Sequence, residues 1–308
     1  MFVGVPLSVA LGLKIVHNKI TDSNKTIIKT NQTIKKMEAD FEKSKKLLDS
    51  QHDSASKSIC KLASLELEIL QSFQKFSDLI EVFQNRPEFE YFELHKFELP
   101  QLDMNELCVA SNKAGKLLEF LSNTMVMTEK IALVSGGVAS VCTGGLILGS
   151  YSVVSLPSFT PALLIGGWFL NKQSQQFSDK AEIYCQQICT AKEKSDEARQ
   201  LLYEFEAASE DYISVMTKVN QKYSDRLNYL SFLVNVLKKR DWKKFSKNEK
   251  TKTKELILLV GLLYNMCKVN FIQETSDENG VNKLNKEEIK SSLTKANNIM
   301  KTMNRKVV

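Results

Sequence analysis

Apolar residues recur at every seventh position from Ile20 onward. Ile20, Ile27, Ile34, Phe41, Leu48, Ala55, Leu62, Ile69, Phe76 and Phe83 keep this spacing without a slip. A sustained heptad places one stripe of a helix along a packing seam. A second stripe is weak at first (Ser23, Thr30, Met37, Ser44) and strengthens later (Leu65, Phe73, Leu79, Ile80). Because that stripe starts polar, the pattern is read as the core of a helical bundle rather than a two-stranded coiled coil. Residues 49–58, DSQHDSASKS, are poor helix formers and mark a place for a bend or break. Asn85-Arg86-Pro87 ends the helix, since proline lacks a donor and restricts the residue before it. A connector follows to Pro100, and a further helix begins near Asp103.

The pattern then changes. Residues 131–171 contain no charge over 41 positions, in a chain that is 25% charged. They hold seven of the twelve glycines and two of the five prolines, and Lys130 and Lys172 bound them. A long apolar run between cations is the mark of a segment that enters a bilayer. As one helix it would be about twice as long as a ~30 Å hydrocarbon core requires, so a hairpin is expected. Gly136, Ser140 and Gly144 fall at spacing four in the first arm, and Gly145 and Gly149 follow. Small residues at that spacing let helix backbones approach closely in lipid. Gly136, Gly137, Ser140, Gly144, Gly145 and Gly149 are the candidate packing positions. Leu146, Ile147, Leu163, Leu164, Ile165, Trp168 and Phe169 are the candidate lipid-facing ones. Pro157 and Pro161 kink the second arm. The competing reading is a hairpin permanently buried in a bundle.

After the insert the heptads resume, now with both stripes filled. Phe177, Tyr184, Ala191, Ala198, Phe205, Tyr212, Val219 and Leu233 keep one phase, with Arg226 as the exception. Ala181, Ile188, Leu202, Met216, Tyr223, Leu230 and Leu237 keep the other, interrupted by Ser195 and Ser209. A long helix is expected over 172–237. Residues 238–254 carry nine basic and two acidic side chains around Trp242 and Phe245. Lys238, Lys239, Arg240, Trp242, Lys243, Lys244 and Lys247 are the candidates for binding an anionic surface, each cation contributing about 1 kcal/mol against acidic headgroups. The same residues could meet nucleic-acid phosphates, or form only a solvated charge run. Residues 256–267 predict a short apolar helix, 276–280 a turn, and a last amphipathic helix carries Leu284, Ile289, Leu293, Ala296, Met300 and Met303.

Together these elements predict an all-α protein, an elongated helical bundle or coiled coil with a central apolar, glycine-rich membrane hairpin. Its parts are an apolar N-terminal segment (1–13), the first part of the bundle (14–130), the hairpin (131–171), a long heptad helix (172–237), a basic segment (238–254) and C-terminal helices (255–308). Residues 1–13 lack a basic leader and are short for a span, so they are read as a weak signal or an interfacial anchor.

Composition adds little chemistry. Net charge is +6, and the six cysteines show no disulfide-framework spacing, which favours a reducing compartment for the bulk of the chain. His17, His52 and His95 are the only histidines and lie in different segments. Cys185 and Cys189 sit four apart, but no second ligand pair accompanies them, and a closed zinc site takes four ligands. No phosphate-binding glycine loop, HExxH or GxSxG occurs. No enzyme activity, cofactor or metal is expected.

Two resemblances follow. Heptad helices flanking an apolar hairpin resemble the layout of α-helical pore-forming toxins, whose bundles release a hydrophobic tongue into membranes. Residues 1–13, the NRPEF at 85–89, and the insert followed by NKQSQQFSDKAE at 171–182 resemble a widespread group of uncharacterised bacterial coiled-coil proteins. That likeness covers about the first 240 residues. This insert is shorter and less alanine-rich than is usual in that group, and the group implies no activity. The leading expectation is therefore a membrane-associated protein that inserts the hairpin and permeabilises a bilayer as an oligomer. A membrane-anchored scaffold binding a protein partner along its seams comes second. A nucleic-acid-binding coiled coil comes last.

Overall fold

A computed structural model describes residues 23–85, 103–122, 174–273 and 283–305. These form five helices and one very short sheet, so the chain is all-α as expected. Helix α1 spans Ser23–Glu81 and α3 spans Ser174–Ser231, 59 and 58 residues respectively. Between them lies α2, Met104–Ser122. A five-residue π-helix, Phe232–Val236, continues α3. Helix α4 is Lys247–Cys267 and α5 is Lys286–Arg305. Strands β1 (Ile272–Gln273) and β2 (Lys283–Leu284) pair antiparallel ahead of α5.

The heptad explains α1. Ile34, Phe41, Leu48, Ala55, Leu62, Ile69, Phe76 and Phe83 are all buried. The helix also runs unbroken through residues 49–58. Leu48, Ala55 and Ile59 keep the seam apolar across that stretch, and packing of a helix face outweighs weak intrinsic propensity.

The chain divides into two compact units. One comprises Met1–Ser54 with Ser155–Tyr203, and the other comprises Ala55–Val154 with Glu204–Val308. In the first, Ile34 and Phe41 of α1 pack with Ala181, Tyr184, Ile188 and Ala191 of α3. Tyr184 donates to Glu38 at 2.8 Å, and Ser44 donates to Asp196 at 2.9 Å, with Ser195 Oγ 3.3 Å away. Partner numbers rise together, so the two helices run parallel. The polar interruption of one seam, Ser44, meets the polar interruption of the other, Ser195, and both are buried.

The second unit keeps the same pairing. Ser58 reaches Glu210 and Ser72 reaches Tyr223, so α1 and α3 are parallel here too. Helix α2 runs antiparallel to α1, with Cys108 near Ser77 and Ser111 bonded to the Gln71 carbonyl. Helix α4 runs antiparallel to α3. Arg226 pairs with Glu255 at 2.7 Å, and Tyr212 donates to the Met266 carbonyl at 3.0 Å. Arg226, the one cation in its heptad stripe, is thereby neutralised by a buried carboxylate. Helix α5 runs parallel to α3 through Tyr212–Ser292 and Lys222–Asn304.

Helix α4 is buried on all sides along its centre. Residues 256–264 are buried without interruption. A helix apolar on every side belongs in a core. It is 21 residues long, not the twelve that its apolar run suggests. Ser246 and Glu249 form a capping box that starts the helix inside the basic segment.

Among the described residues three buried polar atoms lack a hydrogen-bond partner, on Glu66, Gln74 and Ser209, and the carboxyl is the costliest of them. Glu66 is 1% exposed, and its Oε2 has no hydrogen-bond partner. Burial pushes its carboxyl well above the ordinary 4.5. A carboxyl held above its unfolded value supports the fold fully below about 4.5, and that support is lost as pH rises through the folded value. Glu66→Met should therefore stabilise the protein by about 1–3 kcal/mol at neutral pH. Urea midpoints should converge with wild type toward about pH 4 and diverge as pH rises. A difference independent of pH would contradict this.

Candidate functional site

The basic segment becomes a structured junction between α3 and α4. Its geometry starts at the π-helix, where the Leu237 N–H donates to the Phe232 carbonyl at 3.1 Å. Lys238 then takes φ 56, the left-handed conformation that ends a helix and usually falls to glycine. The Lys239 N–H closes the end on the Leu233 carbonyl at 3.0 Å.

From there the chain pairs with the tail of α1. The Gln84 N–H donates to the Arg240 carbonyl at 2.8 Å, and the Trp242 N–H donates to the Gln84 carbonyl at 3.0 Å. Asn85, also at positive φ (55), donates its side-chain amide to Asp241 at 3.0 Å. Asp241 in turn caps the short 3-10 turn Trp242–Lys244 by accepting the Lys243 N–H. The Asn85 amide, followed by that backbone N–H, holds the Asp241 carboxyl below its usual value.

Aromatic rings fill the space beneath. Phe83 lies 5.3 Å from Phe245 and 6.3 Å from Trp242, and the last two are 5.5 Å apart. Phe83 and Phe245 are buried. Lys250 lies 5.9 Å over the Trp242 ring, and Lys252 lies 4.1 Å over Tyr229. Lys239 bonds Glu249 at 2.8 Å and holds that carboxylate low, so its charge is locally cancelled.

The seven surface candidates of this segment thus divide. Trp242 is packed and Lys239 is paired. Lys238, Arg240, Lys243, Lys244 and Lys247 are exposed and make no ion pair among the described residues. Beside them stand three apolar side chains absent from the sequence-level candidates. Phe232 is 48% exposed, Val236 63% and Leu237 48%. Leu237 was expected in the α3 seam. The π-helix shifts the phase after Leu233, so Leu237 leaves the seam for solvent. The available signal was the density of apolar residues in FLVNVL, too high for one heptad stripe.

The hairpin positions lie outside the described residues, both the packing set Gly136, Gly137, Ser140, Gly144, Gly145, Gly149 and the lipid-facing set. Among the described residues no three His, Cys, Asp or Glu side chains converge as a metal site would require. Burial raises the Cys185 and Cys189 thiols, which favours their protonated form. No protein-family model, curated protein or solved structure matches this chain.

The junction separates structural from surface residues. Phe245→Ala should cost about 3–5 kcal/mol in urea denaturation, because it empties a buried ring site. Lys243→Ala and Lys244→Ala should each stay within about 0.5 kcal/mol of wild type. Comparable losses from all three would show that the cations, not the rings, hold the junction.

Proposed function

We propose that this chain is a non-enzymatic, membrane-active helical protein that inserts residues 131–171 into a bilayer as a glycine-rich hairpin and permeabilises it as an oligomer. The observation that carries the reading is the 41-residue run without charge, placed between α2 and α3 in a chain otherwise rich in charge. Among the described residues no helix is long and apolar enough to cross a membrane. This reading draws its spanning element from that run, which lies outside the described residues. Gly136, Gly137, Ser140, Gly144, Gly145 and Gly149 would close the hairpin, and Leu146, Ile147, Leu163, Leu164, Ile165, Trp168 and Phe169 would face lipid.

The test is dye release from anionic liposomes with the purified full-length chain. A lysine at the bilayer centre costs about 2.5–3.5 kcal/mol. Gly145→Lys should accordingly lower leakage by about a hundredfold. Equal leakage from both proteins, or leakage from neither, overturns the reading. Protein that always resists carbonate extraction but never releases dye would instead be a membrane-anchored tether.

A further inference from the structure

We propose that the end of α3 is a lipid-docking surface, in which Phe232, Val236 and Leu237 enter the headgroup layer of an anionic bilayer while Lys238, Arg240, Lys243, Lys244 and Lys247 bind its phosphates and carboxylates. It shares with the proposed function a bilayer as target, and it assigns first contact to a different part of the chain.

Single exposed apolar side chains are ordinary on a protein surface. These three are not scattered. In a π-helix the hydrogen bond runs from residue i+5 back to residue i, and here it joins Leu237 to Phe232 directly. Residues 232, 236 and 237 therefore share one face. About half or more of each side chain meets solvent. The same π geometry removes Leu237 from the seam and creates the face. π-helical turns of this kind occur often at functional sites.

Charge complementarity selects the occupant. The five exposed cations follow the apolar face within ten residues, and Asp241, engaged by Asn85 and the Lys243 backbone, offsets only one of them. Anionic headgroups attract such a cluster, and an amphipathic surface lies with its apolar side at the acyl boundary. Single-stranded nucleic acid would need aromatic platforms for its bases. Phe245 is buried, and Trp242 is engaged by Phe83, Phe245 and Lys250, so the segment's aromatics are committed to its own packing. Two aliphatic side chains beside Phe232 suit acyl chains better than bases.

Co-sedimentation of the full-length chain with vesicles tests this directly. One set is phosphatidylcholine alone, and in the other about a third of the lipid is phosphatidylserine. Wild type should bind the second set and leave the first. Combined Phe232→Ser, Val236→Ser and Leu237→Ser should weaken binding at least about tenfold while circular dichroism shows the protein still folded, since about half or more of each side chain is exposed. Combined Lys243→Gln and Lys244→Gln should weaken it about 25-fold at low salt. Wild-type affinity in the triple serine variant overturns the proposal. So does equal binding to both vesicle sets, binding to neither, or a preference for nucleic acid that displaces the vesicles. Gly145→Lys should dock like wild type yet fail to release dye. Docking without leakage in wild type would sink permeabilisation and leave this surface standing. Leakage that persists in the serine variant, with binding undiminished, would do the reverse.

Discussion

The parallel pairing of α1 with α3 is the constraint on which the other elements depend. Ser58 with Glu210 and Ser72 with Tyr223 keep an almost constant offset of about 151 residues. Each large apolar side chain buried along such a seam contributes about 1.5–3 kcal/mol. Parallel neighbours cannot be joined by a short loop, because a short loop reverses the chain. A return element must lie between them, and α2, antiparallel to α1, provides one. The groove left beside the pair is filled by α4, which has no polar face to spare along its centre. Arg226 and Glu255 show the same logic at a single contact, where the seam's cation and the core's carboxylate each make the other tolerable.

Much of this was legible because heptads report burial directly. Each described member of the α1 stripe, from Ile34 to Phe83, is in the core. Residues 49–58 misled, since propensity is local and packing is not. Serines in the seams looked like weakness, yet Ser44 and Ser195 answer each other across 151 residues, a match that no single helix reveals. Glu66 gave no warning, for one glutamate between Leu65 and Leu67 resembles any other on a helix. Leu237 followed the stripe arithmetically and left it physically, because one π turn changes the period.

The basic segment shows the limit of reading charge as a block. Nine cations in seventeen residues suggest a single function. Folded, they separate by surroundings: Lys239 belongs to Glu249, Lys250 and Lys252 lie over rings, Lys254 is half-buried, and Lys238, Arg240, Lys243, Lys244 and Lys247 are exposed. Composition reports how many charges a segment has, whereas the surrounding fold decides how many stay available. The residues after α1 take part by holding the turn in place, with Phe83, Gln84 and Asn85 packed on or bonded to it.

The 151-residue offset also has a meaning in time. Ribosomes add roughly 5–20 residues per second, so the buried face of α1 emerges on the order of ten seconds before the stretch of α3 that covers it. The apolar stretch at 131–171 emerges within that same interval. During synthesis the chain therefore carries two apolar stretches at once, before the part of α3 that covers α1 has been made. Apolar surface exposed for that long is open to aggregation, so the order of synthesis, and not only the final packing, bears on how this chain folds.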